Sequence, residues 1–205
     1  MIKNNKVFWC TSCVVMSTRP RISFDEKGRC SACQWAEKKK KINWQDRRKK
    51  LEKLLDKHRK NSSGYNCITT VSGGKDGSYV SYNLKHKYNM NPLAVTIRPV
   101  TETEIGIKNV QSFINSGYEH LHVTPNHEAM RTLNKIGFVE MGFPYYGWLI
   151  AIHTAVLRVA VQFNIPLIFY SEDGEVEYGG NLKKGFENEV YGIDYMRSAY
   201  LEWGF

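Results

Sequence analysis

Four of the five cysteines fall in two pairs, Cys10-Thr-Ser-Cys13 and Cys30-Ser-Ala-Cys33, with 16 residues between the pairs. A CxxC turn sets two thiolates on one side of a knuckle, and two knuckles complete a tetrahedron around Zn2+. Cys10, Cys13, Cys30 and Cys33 are therefore read as zinc ligands. Redox chemistry at one pair is the functional alternative, but it needs a single CxxC on a thioredoxin-like βα unit, a pattern this stretch lacks. Disulfides are the other alternative, and they need an oxidising compartment. Four cysteines leave no open coordination position, so such a site staples a fold and does not catalyse.

The second cluster is Ser72-Gly-Gly-Lys-Asp-Gly-Ser78, inside NCITTVSGGKDGSYVSY (66–82). It fits neither GxxxxGK[ST] nor GxGxxG. Its chemistry is still that of an anion site. Gly73, Gly74 and Gly77 let backbone N–H groups approach phosphate closely, and the helix that follows presents free donors and a positive dipole end. Ser72 and Ser78 add hydroxyls, and Lys75 adds a point charge. Asp76 among phosphate binders makes sense as a ligand for Mg2+ that bridges phosphates. Lys75 and Asp76 are the candidate catalytic residues. The alternative is a glycine-rich strand-to-helix turn whose Asp and Ser merely cap the helix.

These clusters need elements to hold them. Residues 66–71, 93–97, 120–123 and 166–170 have the pattern of short buried strands. Helical patterns run near 77–88, 104–116, 127–136 and 148–163. Such alternation predicts an α/β fold: a twisted parallel sheet with helices on both faces and right-handed crossovers. Three regions follow: a zinc module over 1–42, a basic connecting helix within 43–64, and a nucleotide domain over 65–205. Trp44, Leu51, Leu54, Leu55 and His58 recur at helical spacing in the second, which ends at a breaker, Asn61-Ser-Ser-Gly64.

The 205 residues are 42% hydrophobic and 24% charged, a globular composition. The net charge of +9 is local. Residues 38–60 hold 12 of the 29 Lys/Arg and three of the 20 Asp/Glu, leaving 17 of each sign elsewhere. The basicity belongs to one element, which is expected to pack by its apolar stripe with its lysines solvated, so nucleic acid is not an expected partner. No apolar stretch is long enough to span a bilayer, and the first residues (MIKNNKVFWC) lack a secretory h-region. A cytoplasmic protein with reduced cysteines is expected.

Smaller features leave alternatives open. Glu172-Asp-Gly-Glu175 follows a strand end, where open α/β sheets bind ligands, or is a solvated turn. The aromatic run Glu140–Trp148 is a sugar-stacking loop or simply packed. His120, His122 and His153 read as structural, and Cys67 reads as a small core residue.

SGGKDGS after a strand resembles the SGGxDS pyrophosphate loop of the PP-loop ATP pyrophosphatases, the superfamily of GMP synthetase, asparagine synthetase and the tRNA thiolases. One departure stands out: the usual Ser after the Asp is Gly77, with Ser78 one place later. Within that superfamily the chain is similar to the N-acetyl sugar amidotransferases, which make acetamidino sugars for lipopolysaccharide O-antigen or pseudaminic- and legionaminic-type glycans. The similarity runs through CTSC…CSAC, the basic helix, SGGKD, NPLAVTIRP, the Thr103–Ser116 helix with Gly106 and Asn109, and IPLIFYSEDGEVEYGG.

The resemblance implies an adenine nucleotide alpha hydrolase-like fold, ATP and Mg2+ at Ser72–Ser78, and Glu172 as a nucleotide-site residue. It also implies a nucleotide-activated N-acetyl sugar as acceptor and a separate glutaminase subunit supplying ammonia. Members of that family extend beyond a Trp-Gly-Phe205 end, so a C-terminally truncated form lacking part of the acceptor site is expected. A tRNA thiolase is the alternative, with the basic helix on phosphate backbone. Sulfur transfer of that kind resembles chemistry needing cysteines near the nucleotide, and residues 68–205 contain none. A non-catalytic zinc and nucleotide-binding module is the third reading.

Overall fold

The computed structural model describes residues 6–19, 22–60 and 64–172. These group into two compact units. Residues up to Asp46, together with Glu172, form the first, and Arg47–Ser171 the second.

The second unit is built on four parallel strands, β1 (Cys67–Thr70), β2 (Pro92–Ile97), β3 (His120–Val123) and β4 (Ile168–Phe169), in the order β3-β2-β1-β4. The register sets Ile68 beside Leu93 and Ile168, and Ala94 beside His120. From β1 the chain steps outward to β2 and β3, then returns to the other side of β1 at β4. The order therefore reverses between β1 and β4, and open α/β sheets bind ligands beyond the carboxyl ends of strands at such a reversal.

Helices cover both faces, as the strand sequences demand. All six residues of β2 are buried, which needs a cover above and below. On one face Ile68, Leu93, Val95 and Ile97 pack with Val156, Val159 and Ala160 of α6 (Tyr146–Gln162). On the other, Cys67 packs with Leu55 of α2 (Trp44–Lys60) and with Leu84. Leu84 lies in a π-helical turn, Asn83–Lys87, that continues α3 (Lys75–Tyr82). On that same face Val71 and Ala94 meet Phe113 of α4 (Glu104–Asn115) and Tyr118.

The basic helix packs by only part of its expected stripe, since Trp44 and Leu54 are exposed. Leu51 and Leu55 point into the core while Lys49, Lys50, Lys53 and Lys57 are exposed. Of the aromatic run, Tyr146 is buried, Tyr145 is exposed and Trp148 lines a cavity. The helical pattern near 127–136 lengthens into α5 (His127–Met141), a short turn follows, and Tyr146 opens α6. A side chain at Gly137 would meet the Tyr146 Cβ at 2.4 Å, so this glycine lets the two helices close into a hairpin.

In the first unit, two isolated antiparallel bridges, Trp9 with Met16 and Phe24 with Cys30, frame the cysteine knuckles. A helix unforeseen from the sequence, α1 (Ser31–Lys39), begins immediately after Cys30, which is its N-cap residue. Asp25 closes the intervening turn, accepting from the backbone N–H groups of Lys27 and Arg29 at 3.0 and 2.9 Å. Among the described residues no helix is long and apolar enough to cross a membrane.

Candidate functional site: a phosphate loop beside a cavity, and a four-cysteine centre

β1 ends at Thr70, and Val71–Gly74 carry the chain from its carboxyl end into α3. The loop lies at the sheet's reversal point, where β4 also ends. Ser171, past β4, has its hydroxyl 3.6 Å from where a Gly77 side chain would begin. Two glycines of the loop, Gly73 and Gly77, are required by their surroundings. Gly73 has φ +81°, and a Cβ there would press at 3.1 Å on Asn109 and Val110 of α4 and on the Gly106 carbonyl. A Cβ on Gly77 would lie 2.7 Å from the Thr70 carbonyl oxygen. The departure at position 77 is thus steric: α3 starts so close to the end of β1 that serine does not fit.

α3 has no side-chain cap. Gly74 is the N-cap residue, and Asp76, in the first turn, makes no capping bond. The N–H groups of Asp76 and Gly77 therefore have no side-chain cap and can meet an anion. Asp76 and Lys75 are both exposed, with Lys75 Nζ 2.7 Å from each carboxylate oxygen of Asp76. The Ser78 hydroxyl donates back to the Gly74 carbonyl at 2.9 Å. Ser72 is exposed at the loop's start. A single carboxylate is enough for Mg2+ when phosphates supply the other charged ligands, and Asp76 fits that role. Glu172 is exposed directly after Ser171. Asp173 to Glu175, the Gly179-Gly180 pair and the chain's last residues lie outside the described residues.

Ser72 also borders a cavity of about 390 Å3 lined by α4, by the carboxyl end of β2 and by one side of β3. Ile97, Ile107, Val110 and Ile114 give it apolar walls, while Thr96, Glu102, Gln111, His120 and His122 give it polar ones. His120 and His122, expected to be structural, line this cavity. Burial, with the neighbouring His122 adding to it, holds His120 below the ordinary histidine range. His122 lies 3.9 Å from Glu102, whose other carboxylate oxygen takes Arg98. Period-two alternation correctly places both histidines on one side of β3. Their cavity arises because α4 stands off that strand, which no local pattern announces.

In the first unit the four sulfurs of Cys10, Cys13, Cys30 and Cys33 all lie within 4.8 Å of one another. Cys10 to Cys33 is 3.9 Å and Cys13 to Cys30 is 3.6 Å. A tetrahedron with Zn–S near 2.3 Å has edges of about 3.8 Å, so the cluster already has a zinc site's dimensions. All four thiols are free, and these distances are far beyond a disulfide bond. Burial opposes ionisation of Cys10 but is outweighed by the N–H groups of Cys30, Ser12 and Cys13, which bring its thiol down to about 6. Burial and adjacent sulfurs push Cys30 and Cys33 the other way. Gathering four thiolates here thus needs a cation, and the donor set suits Zn2+.

Cys67 lies in β1, where burial pushes its thiol up to about 12, so it is an inert core residue. His153 is likewise held low by burial, on α6 against Tyr170.

No family model matches the chain. A stretch of 89 residues, 43% of this chain, is 34% identical to an uncharacterised protein of Methanocaldococcus jannaschii. It covers 32% of that protein, so the chain spans about a third of the length of the curated relative it matches. Among solved structures, the NMN synthetase of Francisella tularensis is similar over 65% of this chain and 56% of its own, with 16% identity and a TM-score of 0.47. The NH3-dependent NAD synthetase of Campylobacter jejuni is similar over 65% and 58%, with 15% identity and a TM-score of 0.45. A predicted subunit of a tRNA methyltransferase from M. jannaschii gives 64% and 60%, 16% identity and a TM-score of 0.40.

Proposed function

We propose that the chain is an ATP-dependent amidotransferase acting on the acetamido group of a nucleotide-activated N-acetyl sugar. The observation that carries the reading is the uncapped, glycine-built loop Ser72–Ser78 at the sheet's reversal point, opening onto the cavity beside it. A triphosphate on the loop leaves the cavity for the attached nucleoside. The choice of an acetamido sugar rests on the sequence resemblance.

The acetamido oxygen attacks the α-phosphorus of ATP, and the bond to the β-phosphate bridging oxygen breaks. Pyrophosphate leaves, and an O-adenylyl imidate remains. Ammonia adds at the imidate carbon, AMP departs with the former acetamido oxygen, and loss of a proton gives the acetamidine. The chain's contribution is position and charge. Backbone N–H groups of the loop hold the departing phosphates, and Lys75 turns from Asp76 to the charge that builds on them. Asp76 would hold the Mg2+ that neutralises the same phosphates. The resemblance implies a separate glutaminase as the source of ammonia, and Cys67, the one cysteine of this sequence outside the zinc cluster, is buried and un-ionised. The same inertness argues against sulfur transfer to RNA. The four cysteines hold Zn2+ as a structural centre.

The test supplies ATP, Mg2+, ammonium and a panel of UDP-linked acetamido sugars, and follows product mass. Replacement of oxygen by NH, with AMP and pyrophosphate formed in equal amounts, supports the reading. ATP consumption without any such product across the panel removes the amidotransferase assignment.

A further inference from the structure

The Thr96 hydroxyl oxygen lies 2.5 Å from the carbonyl oxygen of Val71, the residue that leads from β1 into the loop. Two oxygens that close need a proton between them, and a carbonyl has none to give, so Thr96 donates. A hydroxyl carries one proton. The Thr96 oxygen also lies 2.8 Å from His120 Nε2, and there it can only accept. Nε2 of His120 therefore bears hydrogen. The ring is half-buried and held below the ordinary histidine range, so it is neutral at pH 7, and a neutral imidazole has one N–H. Nδ1 is left as a bare lone pair. It has no hydrogen-bond partner among the described residues, and His120 lines the cavity that Ser72 opens.

We infer that His120 is a specificity-determining residue, which makes the cavity accept a purine bearing an exocyclic 6-amino group and reject a 6-oxo purine. An amino group donates to Nδ1. A 6-oxo group sets lone pair against lone pair, and the acceptor, once covered by the base, stays unpaired. The apolar residues Ile97, Ile107, Val110 and Ile114 suit the faces of a flat base, while His120 reads its edge. The selection is fixed remotely, from the root of the phosphate loop, through Val71 and Thr96. This inference rests on the reading of the loop as a triphosphate site.

Equilibrium binding of ATP, ITP and inorganic pyrophosphate to the full chain with Mg2+ tests it. ATP and ITP share the triphosphate, so their affinity ratio isolates the base. The wild-type protein is expected to prefer ATP by about tenfold or more, the scale of one unpaired buried acceptor. His120→Leu brings the ratio toward one by weakening ATP. Thr96→Val frees the ring to carry its proton on Nδ1, and it narrows the ratio through a gain in ITP affinity, which a purely structural role for Thr96 does not produce. If His120→Leu fails to fold, the Thr96→Val ratio decides. Pyrophosphate binding with equal affinity for ATP and ITP, or an ATP preference that neither variant moves, overturns the inference and leaves the loop reading standing. Failure of the wild-type protein to bind pyrophosphate or either nucleotide overturns both.

Discussion

Asp76 separates the chemical reading of the loop from the bland one. It is exposed in the first turn of α3, pairs only with Lys75, and caps nothing. Asp76→Asn should therefore leave the melting transition within about 0.5 kcal/mol of wild type, the usual range for a surface site with a solvent-screened ion pair. Mg2+-dependent ATP binding should be lost, because a neutral amide is a poor ligand for a hard cation. Unchanged nucleotide affinity with and without Mg2+ in that variant removes Asp76 as the metal ligand. Gly77 makes the converse case. Gly77→Ser restores the residue of the resembled motif yet drives its Cβ to 2.7 Å from the Thr70 carbonyl. It should lower the urea midpoint and gain no ATP affinity; a stable variant that binds ATP more tightly would show that α3 can shift. The order of residue types in the loop was legible in the sequence. The distance that decides between glycine and serine was not, because it depends on where α3 meets β1.

At the scale of elements, α2 divides its work between two sides. Leu55 is fully buried beside Cys67 and Leu84, while the lysine row at positions 50, 53 and 57 faces solvent. Leu55→Ala should destabilise the second unit by about 2–5 kcal/mol, the cost of a core cavity, read from urea denaturation. Replacing Lys50, Lys53 and Lys57 together by Gln should change stability by less than about 1 kcal/mol. A large loss in the triple variant, or none in Leu55→Ala, reverses this division of labour. The buried positions Leu51 and Leu55 and the four strands were readable because burial imposes a period on sequence, whereas Trp44 and Leu54, counted with the same stripe, are exposed. Helix α1 was missed because it buries only Ser31 and Trp35, too few positions to set a rhythm, and it is started by Cys30 at the knuckle. The cavity was missed for a different reason. It belongs to the gap between α4 and β3, a long-range relation that periodicity along either element does not encode.

For the molecule as a whole, the two units differ in what holds them. The second has a sheet with apolar clusters on both faces. Among the described residues of the first, those buried are Cys10, Cys30, Ser31 and Trp35, so the cysteine cluster is half of what these residues bury. Zinc on that cluster is expected to stabilise these residues, since the binding free energy of a structural metal becomes folding free energy. One zinc per chain is the expected stoichiometry. A strong chelator at pH 7 should abolish the near-ultraviolet signal of Trp9 and Trp35 and leave the second unit's denaturant transition and its nucleotide affinity in place. Acidification should act the same way. Metal-bound thiolates are charged only in the folded, loaded state, so their stabilisation is present at neutral pH and is lost as falling pH protonates them. Trp9→Phe and Trp35→Phe assign the spectral change to this unit against the indoles elsewhere in the chain. Less than stoichiometric zinc in freshly purified protein, or a first unit that survives chelation with its tryptophan signal intact, would mean that apolar packing alone holds the knuckles together.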